Sequence, residues 1–291
     1  MTGVYRSDEG ARAVREGYRA FLERWPVPSE HLRIPTRQGE TFAVACGPPE
    51  GPPVVLLHGS GANSAMWMPD VAAWSSRLRV HAVDVIGEPG LSAPSRPPLG
   101  SDAYAQWFDD VLDGLGLART AVVAVSLGAW LALDHAIRRP GRVTRLALLS
   151  PGGVGRQKIG VLLAAPALLP FGRWGRRRLL RLALGPVAVR PEAAGREYGA
   201  FVLLVHRHFR PRRDRLPVFG DEALAGVAAP MLVVAGGRDA MLDSHDTARR
   251  LGRAVPGADV RLLPEAGHLL PRQTEPILGF LLEGVDVPAG A

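Results

Sequence analysis

A serine, an aspartate and a histidine, each just behind an apolar run, are the residues of this chain best placed to do chemistry. Ser126 stands in AVVAVSLGAWLALDHAI, where a Val-rich run gives way at once to a helix-like stretch. Asp239 lies in GGRDAM behind MLVVA, and His268 lies in EAGH behind DVRLL. A serine hydroxyl is a poor nucleophile at its own pKa, so a histidine must take its proton. An acid must in turn hold the imidazole in the right tautomer. The set would then run acyl transfer through a covalent intermediate. HGSG at 58–61, behind VVLL, adds backbone N–H groups for a developing oxyanion. The expected donors are the Leu127 N–H and a second N–H at Ser60 or Gly61. Alone, Ser126 reads equally well as the N-cap of the helix behind it. Four motifs in this order, each behind its own strand, are much more specific.

Rival residues have plainer roles. His58, in the HG turn, fits the orientation of its own loop. Asp84 and Glu88 follow a strand end, where Asp84 reads as a turn-stabilising carboxylate. Asp243 and Asp246 compete with Asp239 but suit the N-cap and first turn of the next helix. His206 and His208 are either exposed or within reach of substrate. Trp67 and Trp130 follow the oxyanion loop and the nucleophile, and are the candidate substrate-binding aromatics; core packing is the competing role for Trp130. No metal-ligand cluster is evident, and HGSG has too few glycines to cradle a phosphate. Neither a metal nor a cofactor is expected.

The elements that must position these residues follow from the hydrophobic pattern. Runs at 54–57, 80–85, 121–125, 144–149, 231–235 and 259–263 are apolar on both faces, as in a parallel sheet covered by helices. Helical stretches at 65–77, 102–115, 127–139, 244–254 and 274–284 alternate with them, with Ser64, Ser101 and Asp243 as expected N-caps. Segments 31–34 and 40–45 read as an antiparallel hairpin on one edge. The predicted fold is α/β, a mostly parallel doubly wound sheet. Ser126, Asp239 and His268 then share its carboxyl edge, where open α/β folds bind ligands. From Gly152 to about Gly220 the strand signal lapses. An inserted helical cap is expected there, dividing the chain into core 1–155, cap 156–219 and core 220–291.

Composition bounds the rest. The chain has 291 residues, 47% of them hydrophobic and 22% charged, enough for a sizeable core. Its one cysteine, Cys46, excludes an internal disulfide. No apolar run is long enough for a transmembrane helix, and the charged start lacks the apolar core of a secretory signal. A cytoplasmic protein is expected. The net charge of +7 is unevenly spread. Residues 156–215 hold 13 Arg and Lys158 against Glu192, Glu197 and Asp214, a local +11, leaving −4 elsewhere. One basic insert argues weakly for DNA, so no nucleic-acid partner is expected.

The order Ser…Asp…His is that of the α/β-hydrolase arrangement. The chain resembles that superfamily, over about residues 25–155 and 218–285 and only weakly across the cap. MWMPDVAAWSSRLRVHAVDVIGEPGLSAP, with WPVPSEHLRIPT before it, is similar to the carboxylesterase NP (naproxen-esterase-like) branch. Ala124 departs from the glycine usual at that position. The resemblance implies the α/β-hydrolase fold and a serine nucleophile, unlike the aspartate of haloalkane dehalogenases and epoxide hydrolases. It implies a carboxylic-ester hydrolase for a small hydrophobic ester, whose cap roofs an apolar pocket. Thioesterases, acyltransferases, lactonases and C–C hydrolases share the triad. The basic cap would suit an acidic carrier or an anionic membrane surface. In a different class stands a non-catalytic protein that docks through RWGRRRLLRLAL; for that stretch a solvated face is the plainer reading.

Overall fold

The computed structural model describes residues 3–185, 193–212 and 214–284. The chain opens with helix α1 (Asp8–Leu22), whose N-cap Ser7 accepts the Gly10 N–H. The predicted edge hairpin is β1 (Ser29–Ile34) and β2 (Thr41–Cys46). The parallel strands are β3 (Pro53–Leu57), β4 (Arg79–Val83), β5 (Thr120–Val125), β6 (Val143–Leu149), β7 (Met231–Gly236) and β8 (Asp259–Leu263). The sheet order is β1-β2-β4-β3-β5-β6-β7-β8, antiparallel between β1, β2 and β4 and parallel thereafter.

Successive strand residues feed opposite faces, because side chains alternate along a strand. Val55, Leu57, Val122 and Ala124 pack on one face with α3 (Ala103–Gly114) and α4 (Leu127–Arg138). Val54, Leu56 and Val123 pack on the other with α1, α2 (Met68–Trp74) and the closing helix Thr274–Leu282. The doubly wound sheet is therefore covered on both sides.

Two expected details differ. The helix after the HGSG loop begins as a single 3-10 turn, Ser64–Trp67, capped by Asn63 rather than Ser64. Ser64 is drawn inward, where its N–H and Oγ–H both donate to Asp84 Oδ1, at 2.9 and 2.7 Å. The strand expected at 80–85 stops at Val83, because the chain then turns to bury Asp84. That carboxylate also accepts the Tyr18 hydroxyl at 2.9 Å and the Leu91 N–H at 2.8 Å. It joins α1, the 3-10 turn and the loop beyond β4.

Between β6 and β7 lie α5 (Gly160–Leu168), α6 (Gly172–Leu184), α7 (Ala193–His208) and the short α8 (Asp221–Ala225). The charges of Arg190, Glu192 and Arg213, counted within the cap, lie outside the described residues. Helix α7 is clamped by the amino-terminal segment. Phe21 of α1 packs on Tyr198 and Phe201, and a backbone bridge joins Tyr5 to Phe209. Helices α5 and α6 pack on each other and leave Leu163, Phe171 and Trp174 more than 60% exposed. No helix among the described residues is long and apolar enough to cross a membrane.

Asp84→Ala removes the acceptor of four hydrogen bonds, from Tyr18, Ser64 and Leu91, and each buried donor left unsatisfied costs about 1–3 kcal/mol. We expect a loss of at least about 3 kcal/mol in a urea unfolding titration. A loss below about 1 kcal/mol would show that Asp84 is not the tie it resembles.

Candidate active site

Ser126 sits between β5 and α4 with φ 52° and ψ −106°, a left-handed region that non-glycine residues avoid. It occupies the N-cap position, yet its side chain makes no cap hydrogen bond. The plain N-cap reading therefore does not describe it. What forces the turn is the packing of α4 on β3. A Cβ at Gly128 would lie 2.3 Å from the Leu57 carbonyl oxygen and 2.7 Å from that of His58. Ser126 N–H donates to Leu149 at the end of β6, at 3.0 Å, and so keeps a ladder bond despite the turn.

Asp239 and His268 are both buried, at 1% and 6% exposure, and His268 Nδ1 lies 2.7 Å from Asp239 Oδ2. The other carboxylate oxygen accepts the Met241 and Leu242 N–H groups at 2.7 and 3.0 Å. The loops carrying the pair are stitched together by the backbone. Arg238 N–H donates to Ala266 O at 2.8 Å, and Gly237 N–H donates to Leu263 O at 2.8 Å. Ser150, at the end of β6 with φ 43°, donates its hydroxyl to the His268 carbonyl at 2.8 Å. Leu149 and Ser150 thus hold Ser126 on one side and His268 on the other. Asp243 makes the expected N-cap, accepting Asp246 N–H at 3.0 Å, and Asp246 pairs with Arg249, so neither competes with Asp239.

The HGSG loop lies against the serine: a Cβ at Gly59 would be 3.5 Å from Ser126 Cβ. His58 pins this loop by accepting the Val85 N–H at Nε2, 2.9 Å, while Nδ1 meets Gly59 O at 2.8 Å. Complete burial lowers the pKa of His58 and keeps the ring neutral. Gly61 and Ser60, alternatives as oxyanion donors, behave differently. The Gly61 N–H is committed to Glu88 Oε2 at 2.6 Å. The N–H groups of Ser60 and Leu127 donate to no backbone or side-chain acceptor among the described residues. Ser60, not Gly61, is thus the amide left available beside Leu127.

The profile of the alpha/beta hydrolase family matches residues 54–279. The chain is 33% identical to the uncharacterized carboxylesterase nap of Bacillus subtilis (strain 168), over 91% of this chain and 88% of that one. It is 32% identical to carboxylesterase YbfK of the same organism, over 93% and 94%. The solved structure of naproxen esterase (carboxylesterase NP) from Bacillus subtilis superposes with a TM-score of 0.81, at 30% identity, covering 94% of this chain and 98% of that one. This chain belongs to the alpha/beta hydrolase family.

The two aromatic residues expected to bind substrate lie elsewhere in this hydrolase. Trp67 is 2% exposed and packs on Trp74 in the core beneath α1 and α2. Trp130 is 1% exposed, stacks on Phe219 at 5.5 Å and donates its Nε1–H to Pro217 O at 2.8 Å. Both indoles have aromatic partners in the core, so burial of their large apolar surface prevails over a place at the site edge. Trp130 instead fastens the segment that leads out of the cap. Of the two cap histidines, His208 packs on Gly10 of α1. His206 lies over the HGSG loop, its Cε1 and Nε2 at 3.8 and 3.9 Å from a Cβ built at Gly61. Burial lowers its pKa, so the ring is neutral. Sequence reasoning missed Ser150, whose motif LLSPGG reads as an ordinary strand end. Among the described residues, no group of three or more His, Cys, Asp or Glu could hold a metal ion.

Gly128→Ala tests the packing that makes the turn. The methyl group has only backbone oxygens to displace, so we expect a destabilisation of about 1–3 kcal/mol by calorimetry or denaturant titration. Wild-type stability in this variant would mean that α4 can retreat without cost.

Proposed function

We propose that this chain, a carboxylic-ester hydrolase by its kinship, is a serine esterase for small hydrophobic esters. Ser126 is the nucleophile, His268 the general base and then acid, and Asp239 the orienting acid. The observation that carries this reading is the buried 2.7 Å contact between His268 Nδ1 and Asp239 Oδ2, beside a serine whose side chain caps nothing.

In the first half-reaction, Ser126 Oγ bonds to the ester carbonyl carbon while His268 Nε2 takes the hydroxyl proton. The imidazolium so formed is stabilised by Asp239, whose second oxygen is already saturated by two amides. The carbonyl oxygen becomes an oxyanion that the Leu127 and Ser60 N–H groups would receive. Each such donor is worth about 10²–10³ in rate. His268 returns the proton to the leaving alkoxide, and the acyl group stays on Ser126. A water molecule, deprotonated by the same histidine, then releases the carboxylic acid and restores the serine. The residues 156–219, read as a cap, would cover the acyl chain with α7, whose neutral His206 reaches the oxyanion loop.

Ser126→Ala should abolish p-nitrophenyl ester hydrolysis and fluorophosphonate labelling while the fold survives; more than about a tenth of wild-type activity would refute the nucleophile. Asp239→Asn should cost about 10⁴ in kcat, because it offers the imidazole the wrong partner. Asp243→Asn should cost little activity and at most about 1 kcal/mol of stability, because Asn still caps the helix but without the charge. Reversed phenotypes would move the acid to Asp243.

A second reading concerns delivery. Helix α6 exposes Trp174, Arg177 and Arg178 next to exposed Phe171, with no carboxylate along Arg156–Gly185 to offset the charge. That face suits an ester presented by an acidic carrier or an anionic membrane surface. Replacing Arg176, Arg177 and Arg178 by Gln should leave kcat on a small neutral ester within a few-fold. With an ester held in anionic vesicles, kcat/KM should fall at about 0.01 M salt, and the loss should shrink at about 0.15 M as the Debye length contracts. Equal rates under every condition would make the cluster a solvated face.

A further inference from the structure

We propose that Glu88 is a positioning residue for the oxyanion loop, holding the Gly61 N–H and the Ser60 hydroxyl so that the Ser60 N–H stays free for the oxyanion. The proposal rests on reading residues 58–61 as that loop. Glu88 is 3% exposed, and its Oε2 accepts Gly61 N–H at 2.6 Å and Ser60 Oγ–H at 3.3 Å. Both donors come from the loop, one residue apart, so a single oxygen sets the path of the chain between them. Gly61 has φ 72°, a conformation that favours glycine, and in it the amide is bonded to the carboxylate. Glu88 has little freedom to follow a drifting loop. Its own N–H donates to Val85 O at 3.2 Å, its carbonyl accepts Gly90 N–H at 2.8 Å, and the Gly87 N–H before it donates to Ala93 O at 2.8 Å.

The carboxylate is an odd choice for a purely structural tie. Arg96 and Arg212 favour its charge from a distance, but no ion pair reaches it among the described residues. Arg96 is spent on the carbonyls of Gly87 and Arg210, and Arg212 on Tyr104 Oη and Asp214. The phenols of Tyr5 and Tyr104, both pushed up to about 12, stay neutral, as does His206 above Gly61. Burial therefore dominates and pushes Glu88 up to about 7. A carboxylic acid raised in the folded state keeps a proton that the unfolded chain has already released. Its contribution to stability is thus lost as pH rises from the ordinary carboxylate value through about 7. The hydrogen bond to Gly61 changes in the opposite sense, since an ionised acceptor makes the stronger bond. Raising the pH through neutrality tightens the loop while it weakens the fold.

A plain structural residue would lose stability and activity together; Glu88 should separate them. We would measure kcat and KM for p-nitrophenyl butyrate, thermal midpoint, and amide exchange of residues 58–63, in wild type, Glu88→Ala and Glu88→Gln. At pH 8, Glu88→Ala should lose about tenfold or more in kcat with KM within about twofold, a fraction of what removing an oxyanion donor costs. Glu88→Gln restores an acceptor without charge and should recover part of that loss, with a thermal midpoint no lower than wild type. The wild-type pH profile should include an ionisation near 7 that Glu88→Gln lacks. Gly61 exchange, corrected for its intrinsic rate, should slow with rising pH in wild type and stay fast in Glu88→Ala. An unchanged or higher kcat in Glu88→Ala, unaltered Gly61 exchange, or a kcat loss matched by unfolding would each overturn the proposal. Activity surviving in Ser126→Ala would instead overturn the esterase reading, and the exchange data would still decide Glu88.

Discussion

The site depends on how closely α4 can approach β3. The helix starts at Leu127, one residue beyond the point where the strand ends, and its second residue faces the Leu57 and His58 carbonyls with no room for a side chain. Reversal from strand to helix within a single residue leaves Ser126 at positive φ, a strain of about 1–3 kcal/mol that the surrounding structure must outweigh. It does so by keeping the ladder bond from Ser126 N–H to Leu149 and by burying the first helical turns. The same geometry lifts the serine side chain off the helix and leaves the Leu127 amide unbonded. The proposed nucleophile and the proposed first oxyanion donor are thus two results of one contact.

Three buried carboxylates stand around this turn, and they differ in how many donors they receive. Asp84 collects four hydrogen bonds from Tyr18, Ser64 and Leu91 and serves as a knot between α1 and the loops beyond β3 and β4. Asp239 collects two amides and an imidazole, so both of its oxygens are engaged. Glu88 collects one amide and one weaker hydroxyl contact. Desolvation prevails for this last group, and its proton affinity moves to about neutrality while it touches the HGSG loop.

The parallel strands, the edge hairpin, the order of the motifs and the loops carrying Ser126, Asp239 and His268 were legible because each depends on local pattern. Apolar runs fix buried strands, and a residue just past such a run must lie at the sheet edge. What escaped is what tertiary contacts decide. Ser64 looks like an N-cap until Asp84 draws it inward and Asn63 takes its place. Nothing in HGSG distinguishes the Ser60 amide from that of Gly61; only a glutamate 27 residues along claims the second. Trp67 and Trp130 follow the right motifs, but position in sequence does not say which way an indole turns. The clamping of α7 by α1 joins segments nearly two hundred residues apart and leaves no local trace.

The helices between β6 and β7 were expected as one basic insert, and they behave as two pieces. Helix α7 is tied to α1 by Phe21 and by the bridge at Phe209, and it carries His206 over the HGSG loop. Helices α5 and α6 bury no large apolar side chain among the described residues, so little surface burial opposes their displacement. Yet the end of α6 is not loose. The Leu184 carbonyl accepts the Leu269 N–H at 2.9 Å, one residue past His268, and Gly185 packs against Gly267. Glycine stands on both sides of that approach because a Cβ on either would lie within 2.8 Å of the other backbone. The sparsely buried α5 and α6 are thereby joined to the loop that carries His268. Any displacement of α5 and α6 is therefore passed to the backbone beside His268, which the Asp239 contact and the Ser150 bond hold from the sheet side.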